Sequence, residues 1–309
     1  GVPAYSLFGK HRKADPEMLK GIDTLVFDVQ DIGSRSYTFI STMILAMEAA
    51  AENDITFVVL DRPNPLGGEK IEGRPLDPRF SSFVGQVPIP YVHGMTVGEL
   101  AQMANGEGWL ADGAKCKLVV VPMEGWQRSM WYDETGLEWI PTSPHIPHAE
   151  TCPFYAATGI MGELQILSEG VGYTLPFELA GAPGIDSEKL ADELNRRHLP
   201  GVFFRPTYFK PFYFRFEGET CGGVQVIFRD RRKAELTEVQ FHILDAVHRI
   251  NPDQPIFTGK RDKMFDKVCG TDEIRNAWQE GTPLIDILAL WREGRDTFRA
   301  TRAKYLLYK

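Results

Sequence analysis

Two apolar runs, each ending in aspartate and separated by a one-faced helical pattern, constrain the fold of this chain more than any other feature. The first, Leu25-Val-Phe27, passes into Asp28-Val-Gln-Asp31-Ile-Gly33-Ser-Arg35-Ser-Tyr37. The second, Ile55-Thr-Phe-Val-Val-Leu60, passes into Asp61-Arg62-Pro63-Asn64. Between them Ile40, Met43, Ile44, Met47, Ala50 and Ala51 follow the i, i+3, i+4, i+7 spacing of a helix that buries one face. Strand, helix and strand predict a parallel βαβ unit with a right-handed crossover. Ligands of such sheets bind beyond the carboxyl ends of the strands. Asp28, Asp31, Asp61 and Arg62 therefore fall on one rim, with Arg35 and Tyr37 just past it. The competing reading is that the aspartates cap the next helix and Arg35 neutralises them.

The same rhythm continues through the first half. Pro3 to Phe8 and Lys117–Val121 read as strands, the latter buried, and Asp15-Pro16-Glu17 reads as a helix start. Thr96 reads as the N-cap of a helix over Val97–Asn105, with Glu99 at capping-box spacing. From Arg62 to Met95 runs a Pro/Gly-rich loop carrying Glu69, Glu72, Arg74, Asp77 and His93, and a loop that long usually covers or forms a site. Composition shifts to Trp, Pro and His between Pro122 and Pro153, which sets a junction between a Rossmann-like α/β domain (1–140) and an α+β domain (141–309). In the second domain strands are expected at Val202–Arg205, Tyr213–Glu217 and Val224–Phe228. Helices are expected from Ser187 to about Arg197 and over Thr237–Ile250. A final helix is expected with Leu284, Ile287, Leu288, Trp291 and Phe298 on one face. Gly170 and Gly172, before Tyr173-Thr174, mark a tight turn or a close approach of backbone to ligand.

Several classes are excluded. With 34 Lys+Arg against 42 Asp+Glu the chain carries a formal charge of −8, unsuited to a nucleic-acid backbone. No apolar run reaches the roughly 18 residues of a membrane span. The four cysteines lack CxxC spacing and read as free, buried thiols. Pro147 prevents His145 and His148 from sharing a helical metal motif, so no metal is expected. No GxGxxG, GxxxxGK[ST] or GxSxG string is present. What remains is a carboxylate-rich rim with tyrosines, arginines and a Trp-bearing segment, chemistry that suits a polyhydroxylated substrate.

Specific strings add a resemblance. Leu25-Val-Phe-Asp-Val-Gln-Asp-Ile-Gly33, Tyr37-Thr-Phe-Ile-Ser-Thr-Met43, Leu60-Asp-Arg-Pro-Asn-Pro-Leu-Gly-Gly68, His93-Gly-Met-Thr96, Pro122-Met-Glu-Gly-Trp126 and Tyr305-Leu-Leu-Tyr308 resemble a bacterial family that includes the NamZ-like exo-β-N-acetylmuramidases. The resemblance implies a Rossmann-like domain, a second α/β domain, a cleft between them and no cofactor. It also implies a secreted or periplasmic glycosidase that removes N-acetylmuramic acid from the non-reducing ends of peptidoglycan fragments. Its members carry a further N-terminal portion with a Pro-Glu-His-Gly motif, and this sequence starts downstream of it. His145 and Val171 stand where the family has Asn and Arg.

Glycosidases usually use two carboxyl groups. The expected catalytic groups are Glu163, then Asp28 and Asp31. Asp61, Asn64, Glu72, His93, Tyr37, Ser143, His145, Tyr173 and Thr174 are expected to bind sugar, and Arg35 or Arg62 to clamp the lactyl carboxylate that distinguishes muramic acid from N-acetylglucosamine. The alternative is a non-catalytic wall-saccharide binder. Glu163 and Asp28 in one cleft would favour the enzyme, and their dispersal the binder.

Overall fold

A computed structural model describes residues 2–7, 9 and 11–309. The first apolar run is β1 (Thr24–Phe27), followed by α1 (Phe39–Glu52) and β2 (Thr56–Leu60). The expected βαβ unit is present: β1 pairs parallel with β2 from Thr24↔Thr56 to Phe27↔Val59. Ile40, Met43, Ile44, Met47 and Ala50 of α1 are buried, as the spacing requires. Next come α2 (Val97–Glu107), opened by the Thr96–Glu99 capping box, and β3 (Lys117–Val121), parallel to β2. Both helices cover the same face of the sheet. β3 is therefore not buried as expected: Val119 and Val121, like Val26, are about half exposed on the opposite face. Two further expectations fail near the start. Residues 3–7 are irregular, with Phe8 outside the described residues, and 16–21 make turns rather than a helix, although Asp15 accepts from Met18 N.

The second half begins with α3 (Thr151–Glu163), β4 (Leu179–Ala182), α4 (Ser187–Asn195, capped by Asp186), β5 (Val202–Phe209) and β6 (Cys221–Phe228). β4-β6-β5 form an antiparallel sheet. Pro206 is tolerated because β5 lies at the sheet edge. The strand expected at Tyr213–Glu217 does not form. That stretch is a loop between β5 and β6, with Phe214 at φ 71° and Phe216 at φ 57°.

Helices α5 (Val239–Ile250), α6 (Asp262–Cys269), α7 (Glu273–Gln279), α8 (Leu284–Arg292) and α9 (Arg295–Arg302) follow. The expected single last helix is two, because Gly294 takes φ 77° and turns the chain. One core lies under the parallel sheet. The other, around α3, α5 and the antiparallel sheet, takes in Ile32, Leu66, Tyr91 and Trp131 from the first half, so the long loop belongs to both. All four cysteines are free and buried.

The chain then returns to the first domain. Leu307 N donates to Glu99, Arg128 N donates to the Lys309 carbonyl, and the Tyr308 hydroxyl donates to Asp61 Oδ2 at 2.6 Å while accepting from Met123 N.

Candidate active site

Beyond the carboxyl ends of β1, β2 and β3 the chain turns outward and leaves a cleft of about 570 Å³, whose polar wall includes Asp28, Arg62, Glu124, Trp126 and Glu134. A second hollow of about 260 Å³ is lined by Gln30, Phe39, Tyr132, Glu138 and Thr142, and shares Asp28 and Arg62 with the first. Asp28 and Arg62 form the common wall. Both Nε (2.7 Å) and Nη2 (2.5 Å) of Arg62 meet the same oxygen, Asp28 Oδ1. Two half-exposed charged groups at a strand-end crevice match the expectation for this rim. Glu134, held by Arg232 and by the Trp131 N–H, has its carboxyl below the usual range.

Other rim residues look inward. Asp61 accepts from Arg62 N, Thr96 Oγ1, Gly98 N and Tyr308, so it ties α2 and the tail to β2 and has no oxygen left for a sugar. Asn64 is buried, donating to the Met95 carbonyl and accepting from Leu66 N. Glu72 is buried against Lys70 and Thr237 N. Asn64 and Glu72 are thus turned away from the cleft, whereas Asp61 lines it beside Arg62 with its oxygens already bonded within the chain.

Arg35 is also a correction. It is 1 % exposed and donates to the carbonyls of Ile89, Arg74, Val268 and Cys269. Two of these end α6, where the helix dipole favours a cation. A lactyl carboxylate cannot reach it.

Asp31 and His93 share a crevice of about 10 Å³, room for one water. Asp31 Oδ1 accepts from Gly33 N while Oδ2 has no partner, and burial pushes this carboxyl up to about 7. His93 Nδ1 accepts from Met95 N, its Nε2 has no partner, and burial lowers its pKa to about 3. His93 is thus sealed off from sugar. Asp31 sits one layer behind the Asp28–Arg62 wall.

Tyr37 and Ser143 do meet: the Tyr37 hydroxyl donates to Thr142 Oγ1 at 2.8 Å and also bonds Ser143. His145 Nε2 lies 2.8 Å from Tyr213 Oη, and Tyr173 stacks on Phe212. Thr174 is exposed. Glu163 lines neither hollow with Asp28. It ends α3, paired with Arg261 at 3.0 Å. Tyr155, bonded to Ser36, feels both its charge and that of Asp31.

Reasoning from sequence missed Glu124, Trp126, Glu134, Glu138 and Tyr132 as wall residues. The signal for Glu124 and Trp126 was available, since the strand-end rule that found Asp28 applies equally to β3.

A parallel α/β domain joined to an antiparallel α+β domain, with a charged and aromatic cleft at the strand ends, defines the class. Within it, family models described as exo-beta-N-acetylmuramidase NamZ match residues 1–150 (N-terminal model) and 153–308 (C-terminal model), and the chain belongs to this family. It is 46% identical over 310 residues to the peptidoglycan beta-N-acetylmuramidase NamZ of Bacillus subtilis (strain 168), spanning all of this chain and 73% of that protein. A crystal structure of a DUF1343 family protein from Bacteroides fragilis superposes with TM-score 0.97 at 52% identity, covering 100% of this chain and 81% of that one. A second from the same organism gives 0.79 at 30% identity, covering 96% and 78%.

Proposed function

We propose that this protein is a glycoside hydrolase that releases N-acetylmuramic acid from the non-reducing ends of peptidoglycan fragments. The carrying observation is its identity, along the whole chain, to a peptidoglycan β-N-acetylmuramidase. The strand-end cleft suits the reading, because sugars are gripped by carboxylate acceptors, guanidinium donors and aromatic faces.

Arg62 takes the lactyl carboxylate, for which a planar fork provides two parallel donors. Asp28 is its partner until substrate arrives and stands beside the incoming sugar. Asp28 and Glu124, on neighbouring walls of one cleft, supply the exposed carboxyl groups. Asp31, closed in the same crevice as His93, backs the wall and takes no direct part. Glu163, paired with Arg261 outside the cleft, takes no direct part. Wall polymer lies outside the cytoplasm, and a periplasmic or secreted address is the expectation that fractionation tests.

The test offers a chromogenic N-acetylmuramic acid glycoside beside its N-acetylglucosamine counterpart. Release from the muramic substrate alone is expected. Binding without turnover, by this chain and by one extended at its N-terminus, would replace the enzyme with a saccharide-binding protein, the reading that the separation of Glu163 from Asp28 favours.

A further inference from the structure

The loop between β5 and β6 plays no part in the site described so far. We propose that its aromatic face, flanked by Tyr173 and His145, is a second saccharide subsite that holds the sugar next to the muramic unit. This deepens the glycosidase reading and rests on it.

Phe212 is 67% exposed, Phe214 54% and Tyr213 50%. Scattered surface aromatics are ordinary, but a contiguous group of this kind marks a contact surface. The group is rigidly held. Phe212 N donates to the Gly172 carbonyl at 2.7 Å, and Gly218 N to the Pro211 carbonyl at 3.0 Å. Arg215 is almost fully buried and donates to the carbonyls of Leu167 and Gly162 and, at 2.9 Å, to Glu169. Gly172 at φ 93° passes so close to Tyr213 that a Cβ there would strike its carbonyl. The approach made possible by this glycine is thus between two parts of the chain. Phe214 and Phe216 hold left-handed backbone that non-glycine residues adopt at a cost, tolerated where the surroundings over-determine it.

The result is a fixed display of ring faces. Tyr173 lies near-parallel to Phe212, with centroids 5.6 Å apart, and His145 near-parallel to Tyr213 at 6.1 Å. Flat rings ordered before binding suit the apolar C–H face of a pyranose and lose little entropy on contact. A lipid surface fits poorly, since several basic residues would be needed around the rings and the exposed Lys210 is outweighed there by Glu217 and Glu219. The platform also connects with the cleft. His145 is three residues from Thr142, at most about 10 Å of chain, and Thr142 lines the hollow that contains Asp28. A saccharide longer than one ring therefore meets the wall at Asp28 and then the platform.

The experiment measures binding rather than turnover, by isothermal titration of wild type, Phe212→Ala and Tyr213→Phe with N-acetylmuramic acid and with a β-linked N-acetylmuramyl-N-acetylglucosamine whose bridging oxygen is replaced by sulfur. The monosaccharide should bind all three equally. The disaccharide should bind wild type at least tenfold more tightly than Phe212→Ala, with Tyr213→Phe in between. Because Phe212 is mostly exposed, unchanged melting of its variant separates contact from folding. Equal disaccharide affinity in wild type and Phe212→Ala overturns the subsite, as does a wild-type dimer that Phe212→Ala dissociates, which would make the face a contact between copies. If the chain hydrolyses nothing yet shows this loop-dependent binding, the enzymatic reading fails and the subsite stands.

Discussion

Replacing Arg35 with methionine tests whether this arginine is a structural bolt. Its guanidinium is buried without a carboxylate, and burial lowers its pKa to about 10. Three bonds are short, 2.7 Å to Ile89 O and 2.8 Å each to Val268 O and Cys269 O, and one is longer, 3.2 Å to Arg74 O. Methionine fills the volume; Ile89 O keeps its bond from Leu76 N, while the carbonyls of Arg74, Val268 and Cys269 lose the Arg35 donors. Each orphaned buried acceptor costs about 1–3 kcal/mol, offset in part by no longer burying a charge. A net loss of about 4 kcal/mol follows, and at roughly 2–4 °C per kcal/mol the melting temperature should fall by about 8–16 °C. Lysine, with one nitrogen in place of a fork, should recover less than half of this. Scanning calorimetry of wild type, Arg35→Met and Arg35→Lys decides the matter, with muramic selectivity measured on whichever variants stay folded. A melting point within about 3 °C of wild type refutes the bolt, and a folded Arg35→Lys that loses selectivity revives the clamp.

Arg62→Met should behave in the opposite way. Its exposed pair with Asp28 contributes under about 1 kcal/mol to stability, whereas losing the lactyl contact should weaken binding of N-acetylmuramic acid by about 10–100-fold; an equal loss of affinity for N-acetylglucosamine would refute this. Asp31 keeps its proton in the folded protein to about pH 7 but unfolds to an aspartate that releases it near 4, so it makes stability fall as pH rises between those values. Asp31→Asn should accordingly gain on wild type, by up to about 4 kcal/mol, between pH 4 and pH 8, and parallel denaturation curves across that range would contradict the burial argument. Tyr308→Phe removes the donor to Asp61 and the acceptor for Met123 N; it should cost about 1–3 kcal/mol and weaken substrate binding, and unchanged denaturation midpoints would show that the tail is not holding the wall.

What was legible in the sequence follows the range of the forces. The βαβ unit, the one-faced α1 and the Thr96–Glu99 capping box are set by near neighbours, and spacing reveals them. So is the strand-end position of Asp28 and Arg62. Whether a charged residue faces water or carbonyls is decided by distant chain, as when Val268 and Cys269 come round to Arg35. Asp61 looked like a ligand because its four partners are spread from Arg62 to Tyr308. The Tyr213–Glu217 stretch has the aromatic richness of a strand, yet the Arg215 anchor and the approach of Gly172 override that preference.

The tail contact has a consequence for how the molecule comes into being. Asp61 and Tyr308 are 247 residues apart, and Trp126, against which the Tyr308 ring packs edge-on at 5.0 Å, also waits for that ring. Translation at about 5–20 residues per second leaves an interval of roughly 12–50 s between the two ends of this contact. During that time the nascent first domain can form its sheet and helices, but one side of its cleft has no backing. The side of the wall formed by Asp61 and Trp126 is therefore completed only once Tyr308 has been made.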